Sequence, residues 1–315
     1  MLNMKTLNGL LLILLVSGIF IGALYFQEEF PEVNISKIEK KEAPISKVEE
    51  SPVPKKKNIV SLSSRTLEQS DTLLIKIDSK DKPEASLGSK QIGFAKIGDS
   101  WFGFLGISVS MEPGIYDLDI NGNIEKIEVI KKDFPITELI VTEELEEKGH
   151  TVSTIMERIR NENAMIKQVL NIYTDNAYFN ESFGYPLERN IVVGKYGSIR
   201  KSGDNIAQHL GVDLDADMNT KVYAVNSGKI VFAKDLLNYG RTIIIDHGLG
   251  IYSLYLHLEK FKVSEDEIIE KGEIIALSGN TGYSIAPHLH FSIKLNRSSV
   301  DPLNFIGTIN KQVLE

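Results

Sequence analysis

Gly228-Lys-Ile-Val-Phe-Ala233, Arg241-Thr-Ile-Ile-Ile-Asp246 and Gly250-Ile-Tyr-Ser-Leu-Tyr-Leu-His-Leu258 are three short runs rich in β-branched and aromatic residues, with glycines between them. Together with Lys221-Val-Tyr-Ala-Val225 they predict successive strands turned sharply back on one another, a folded antiparallel sheet. Such a sheet gathers side chains from distant points of the chain around one groove. Five of the six histidines lie between positions 209 and 290, within this region.

Three of its segments carry chemistry. In Pro287-His-Leu-His-Phe291 a strand puts His288 and His290 on one face and turns Leu289 and Phe291 to the core. One imidazole of such a pair can complete a metal site while the other stands beside an open coordination position, which distinguishes a catalytic zinc site from a closed structural one. In His209-Leu-Gly-Val-Asp213 an extended chain projects residues four apart to the same side, so a nitrogen and a carboxylate oxygen reach one ion. In Tyr255-Leu-His-Leu258 alternation places Ser253, Tyr255 and His257 together on one side of a strand. An isolated His257 would read as a hydrogen-bonded sheet residue. The chain has no cysteine, so any metal is held by His, Asp or Glu.

Upstream, residues 142–176 read as helical, with Ile155, Met156, Ile159, Met165, Ile166 and Val169 spaced by three and four, an amphipathic connector. His150 falls in the polar turn Glu147-Lys-Gly-His150 and reads as a surface residue. Residues 58–141 hold short alternating runs such as Thr72-Leu-Leu-Ile-Lys-Ile77, Trp101-Phe-Gly-Phe-Leu-Gly-Ile107 and Gly114-Ile-Tyr-Asp-Leu-Asp-Ile120, punctuated by Pro113-Gly114 and Asn121-Gly122-Asn123. That pattern predicts an immunoglobulin-like β-sandwich, with Trp101 as a core or sheet-face residue. Residues 28–57, including Ser51-Pro-Val-Pro-Lys-Lys-Lys57, have too little apolar content to fold and read as a flexible tether. Before them, Leu10-Leu-Leu-Ile-Leu-Leu-Val-Ser-Gly-Ile-Phe-Ile-Gly-Ala-Leu-Tyr-Phe26 is uncharged and long enough to span a bilayer, with Lys5 on one flank and Glu28-Glu29 on the other. No A-x-A site follows it, which favours an uncleaved anchor within residues 1–27 over a signal peptide. The body is therefore expected outside the cytoplasmic membrane, in the periplasm or beyond. A net charge of −8, from 35 basic and 43 acidic residues, argues against a general affinity for nucleic acid.

The ordered series His209-Leu-Gly-Val-Asp213, Lys221-Val-Tyr-Ala224, Gly228-Lys-Ile-Val231, Ile245-Asp-His-Gly248, Tyr255-Leu-His-Leu258, Lys271-Gly272, Gly279-Asn-Thr-Gly282, Pro287-His-Leu-His-Phe291 and Asp301-Pro302 resembles the M23 (lysostaphin/LytM-type) zinc endopeptidases. The resemblance implies a mainly β peptidase domain over residues 183–307, preceded by the sandwich and a connector over 142–182. It implies one Zn2+ per chain held by His209, Asp213 and His290, with His257 and His288 as catalytic groups and His247 as a structural histidine. The implied reaction is hydrolysis of peptidoglycan cross-links in stem or bridge peptides, by zinc-activated water attacking the scissile carbonyl. His288 is the candidate general base and His257 the oxyanion donor, and the two roles are interchangeable on the sequence alone. Three positions depart from the pattern: Asn219 where a turn glycine is common, Ala286 before Pro287, and Ser292 where an acidic residue is frequent. None removes a ligand.

Two other classes compete. Family members that have lost ligands act as silent regulators or wall-binding adaptors, but all five positions are intact here. A lipoyl-like carrier, suggested by Ile269-Glu-Lys-Gly-Glu-Ile274, lacks a modifiable lysine at a hairpin tip and leaves the histidines unexplained. A long connector also accommodates a regulatory protein partner or a homodimer.

Overall fold

A computed structural model describes residues 59–313. The expected membrane segment and tether lie outside the described residues, and among the described residues no helix is long and apolar enough to cross a membrane.

The chain is mainly β. At the start of the described residues, one antiparallel sheet has the order Ile59–Leu62, Thr72–Asp78, Ser100–Gly106, Phe94–Ile97. It faces a second sheet of order Thr66–Glu68, Asn123–Ile130, Gly114–Ile120, Ala85–Leu87, Lys90–Ile92, antiparallel except for its first pair. Period-two burial builds the space between them: Leu73, Ile75 and Ile77 from one sheet meet Leu118, Ile127 and Val129 from the other. Asn121 and Gly122, at φ of 53° and 78°, make the tight turn that joins Gly114–Ile120 to Asn123–Ile130. Trp101 is half-buried against this core and donates Nε1–H to the Ser79 carbonyl at 3.2 Å.

Thr72–Asp78 departs from simple alternation, because its outer face is covered as well. Leu74, Phe102 and Phe104 enter the core of the C-terminal domain. Phe104 meets Phe179 edge-on at 5.9 Å, Phe179 meets Phe183 at 5.0 Å, and Phe183 meets Phe305 at 4.9 Å. Each such pair contributes roughly 0.5–1.5 kcal/mol beyond the area it buries. Gly106 is required at this junction for space, since a Cβ there would lie 2.9 Å from Val300 Cγ1.

Ile136–Glu138 leaves the sandwich and pairs in parallel with Ile199–Ser202, which pairs in turn with Asn205–Gln208. The expected helical stretch over 142–176 is two helices, Glu143–Glu147 and Val152–Leu170. Gly149, at φ of 78°, breaks the first, and a reciprocal capping box between Thr151 and Thr154 starts the second. The longer helix lays Ile166 and Leu170 against Phe232, Leu254 and Leu256 on the outer face of the C-terminal sheet. His150 is not on the surface but 4% exposed. It accepts a hydrogen bond from Arg158 Nη1 at 3.2 Å and packs beside Tyr283, and burial, then Arg158 and Lys148, lower its pKa. Arg158 and Tyr283 cover the ring, which a polar sequence context does not reveal.

The C-terminal sheet runs Val192–Gly194, Val212–Asp215, His288–Leu295, Ile251–Phe261, Gly240–Gly248, Gly228–Leu236, Ile268–Ile269. Ile251–Phe261 pairs first with His288–Leu295 and then, beyond Leu256, with Ile274–Ser278. The closing helix, Pro302–Val313, turns back onto the sandwich: Asp301 N–H donates to the Ser70 carbonyl at 3.0 Å, and Thr72 N–H to Asn304 Oδ1 at 3.2 Å.

Candidate active site

Val212–Asp215 and His288–Leu295 are antiparallel neighbours in a register that sets Asp213 opposite His290 and Asp215 opposite His288. Leu289 and Phe291 are fully buried beneath them. His209 precedes the strand and is held by backbone bonds to Gly197 and Ser198. His209 Nε2, Asp213 Oδ1 and His290 Nδ1 lie 2.9 Å from one another.

The outer hydrogen bonds decide which atoms carry protons at this cluster. His209 Nδ1 lies 2.9 Å from the Lys195 carbonyl, which only accepts, so Nδ1 holds the proton and Nε2 turns a lone pair inward. Ser292 Oγ spends its proton on the Leu210 carbonyl and so accepts from His290 Nε2–H at 2.9 Å, leaving Nδ1 a lone pair inward. The carboxylate is the third acceptor. Arg200 Nη2 engages Oδ2 at 3.2 Å, leaving Oδ1 for the cluster. Three converging lone pairs without a donor repel one another unless a cation sits between them. Two imidazoles and a carboxylate suit zinc, whose bonds of about 2.0–2.2 Å at tetrahedral angles set ligand atoms roughly 3.3 Å apart. The residues present therefore fit the ion.

His257 and His288 stand beside the cluster, their rings 4.8 Å apart. Both give Nδ1–H to carbonyls at 2.8 Å, His257 to Thr281 and His288 to Ala286, so both present Nε2 lone pairs. His288 Nε2 is 3.6 Å from Asp213 Oδ1. His257 is buried, and burial, then His288 and His290, keep it neutral. It does not share a face with Ser253 and Tyr255, as alternation predicts. At φ of 60° it forms a bulge where the strand changes partner, so its ring faces the cluster while Tyr255 stays in the core. Asn219 occupies the left-handed region at φ of 67°. Arg200 and the Lys195 and Thr281 carbonyls escaped sequence reasoning. Main-chain acceptors have no sequence signature, and nothing in Ile199-Arg200-Lys201 marks its middle residue.

The model of Peptidase family M23 matches residues 207–302, which contain all five clustered residues. The C-terminal domain is an M23 peptidase domain. This M23 domain resembles an uncharacterized metalloprotease of Haemophilus influenzae, 37% identical over 123 residues that make up 38% of this chain and 26% of that protein. It also resembles the peptidoglycan DD-endopeptidase ShyB of Vibrio cholerae, 28% identical over 44% of this chain and 30% of that one. The matched stretch thus spans less than a third of either relative. In fold, the chain is similar to a crystal structure described as an M23 peptidase from Pseudomonas aeruginosa, with a TM-score of 0.50 and 23% identity, covering 75% of this chain and 93% of that one.

His247 lies inside the M23 domain, away from the cluster. It is fully buried, gives Nδ1–H to the Ser227 carbonyl and accepts from Ser253 Oγ, both at 2.8 Å. Burial, partly offset by the Ser227 bond, lowers its pKa from 6.5 to about 4. The unfolded chain therefore takes up a proton that the folded chain refuses, so the contribution of this residue to stability is intact above pH 6.5 and lost as pH falls towards 4. Denaturant unfolding at pH 7.5 and pH 5 should show the parent losing about 2 kcal/mol more than His247→Gln over that interval.

Proposed function

We propose that this chain is a zinc-dependent endopeptidase that hydrolyses peptide cross-links in bacterial peptidoglycan. The observation that carries the reading is the convergence of three inward lone pairs on His209, Asp213 and His290, with two more imidazole acceptors beside them, in an M23 domain. The resemblance to the peptidoglycan DD-endopeptidase ShyB of Vibrio cholerae supports peptidoglycan as the substrate.

Zinc held by His209, Asp213 and His290 supplies Lewis acidity, which makes water nucleophilic near neutral pH and polarises a carbonyl. The side chains handle the protons. His288, whose Nε2 is close to the cluster and whose Nδ1–H is fixed by Ala286, is the general base. Neutral His257, with Nδ1–H committed to Thr281, has no proton on Nε2 and donates to a developing oxyanion only after gaining one. The uncharged run at 10–26 supports export on a membrane anchor, with the two-sheet module, read as immunoglobulin-like, between anchor and peptidase.

The test is release of soluble muropeptides from purified cell walls by the zinc-loaded protein, alongside His288→Ala and His257→Ala. Both variants are expected to keep about one zinc per chain and to lose roughly 100-fold or more in rate. A zinc-loaded parent that releases nothing, or variants that release peptide at the parent rate, would sink the reading.

A further inference from the structure

The cluster opens into a cavity of about 550 Å3 between the M23 domain and the Val152–Leu170 helix, with His257 and His290 in its wall. Its charged lining is cationic: Lys167 from the helix, Arg200, Lys294 and Arg297, with no carboxylate among the lining residues. Arg200 is committed to Asp213, and Arg297 donates to Asn171 Oδ1 at 3.3 Å. Lys294 is different. It is 7% exposed, its ammonium has no hydrogen-bond or ion-pair partner among the described residues, and burial alone lowers its pKa to about 8.

Buried ammonium groups are normally paired, because burying an uncompensated charge is costly. The neighbour on the same strand face is Ser292, whose hydroxyl is spent on Leu210 and His290. The charge is therefore open towards the cavity. His290 and Lys294 lie on one face of His288–Leu295, four residues apart, which is about 13 Å along a strand. That distance equals three to four residues of extended peptide.

We infer that Lys294 is a specificity residue that receives a carboxylate of the peptide substrate, three or four residues from the bond cut at the metal cluster. The inference rests on the peptidase reading and assigns its substrate class: peptides carrying a free carboxylate at that position, rather than uncharged bridges. A peptide lying over the cluster and running along the cavity brings such a group to the ammonium and leaves neither charge unpaired.

The experiment uses the zinc-loaded full chain, Lys294→Met and Lys294→Arg. Each is given synthetic cross-linked stem peptides with a terminal carboxylate three or four residues from the scissile bond, either free or amidated. Cleavage is followed by chromatography and binding by calorimetry. The parent is expected to prefer the free acid by ~10- to ~100-fold in kcat/KM and in Kd, as a charge-assisted hydrogen bond implies. Lys294→Met should fold, keep its zinc and lose the preference, and Lys294→Arg should restore part of it. Equal treatment of acid and amide by the parent, or a preference that survives Lys294→Met, would overturn the inference while cleavage itself upholds the peptidase reading. Acid-selective binding that depends on Lys294 without cleavage would uphold the inference and defeat that reading. Neither binding nor cleavage would defeat both.

Discussion

Asp213→Ala is expected to empty the metal site: zinc per chain falls from about one to near zero by elemental analysis, and wall hydrolysis drops by more than ~1000-fold. Asp213 Oδ1 lies 2.9 Å from both His209 Nε2 and His290 Nδ1 and is the carboxylate of the cluster, so its removal leaves two imidazoles with no anionic ligand. Arg200 also loses its partner. Thermal unfolding gives a second readout, because an ion that binds only the folded chain adds about 4 kcal/mol at a thousand times its Kd. Adding zinc should raise the Tm of the parent and leave that of Asp213→Ala in place. A variant that keeps its zinc and its rate would show that the carboxylate is not a ligand.

Gly211→Ala should disable the same site without touching a ligand. A Cβ at this position would lie 2.3 Å from Ser292 Oγ and 2.4 Å from His290 Nε2, far inside van der Waals contact. The backbone conformation of Gly211 is one that other residues adopt, so the requirement is for space alone. The added methyl drives His290 off Ser292 and removes the acceptor that keeps its proton on the outer nitrogen. Losing such a partner costs roughly 10- to 100-fold in metal affinity, and the overpacking adds ~1–3 kcal/mol of instability. The control is Gly307→Ala in Pro302–Val313, where a Cβ meets nothing within 4 Å. That change should leave zinc affinity untouched and raise Tm slightly, since alanine favours a helix interior over glycine by about 1 kcal/mol.

Much of the site was readable because strands impose period two. His288 and His290 on one face, with Leu289 and Phe291 beneath, follow from alternation within one uninterrupted strand. The same rule misplaced His257, because a strand that changes partner needs an extra residue, and the bulge inverts the side that residue faces. His209 and Asp213 come together although His209 lies outside the strand, so strand parity alone does not account for that pair. The sandwich was legible from its alternating runs, whereas the covered face of Thr72–Asp78 was not. An apolar run reads alike whether its second face meets solvent, a helix or another domain. The buried turn at His150 and the open charge of Lys294 depend on what packs over them, and that information lies more than a hundred residues away in each case: Tyr283 for one, the helix at 152–170 for the other.

The aromatic junction from Phe104 through Phe179 and Phe183 to Phe305 has a consequence for portability. A chain severed between the sandwich and the M23 domain would uncover Leu74, Phe102 and Phe104 on one piece and the Phe179–Phe183 wall on the other. It would also forfeit the clasp between Ser70 and Asp301. What the sequence parses as two modules therefore shares one apolar junction, and a cut at the linear boundary would expose an apolar face on each piece.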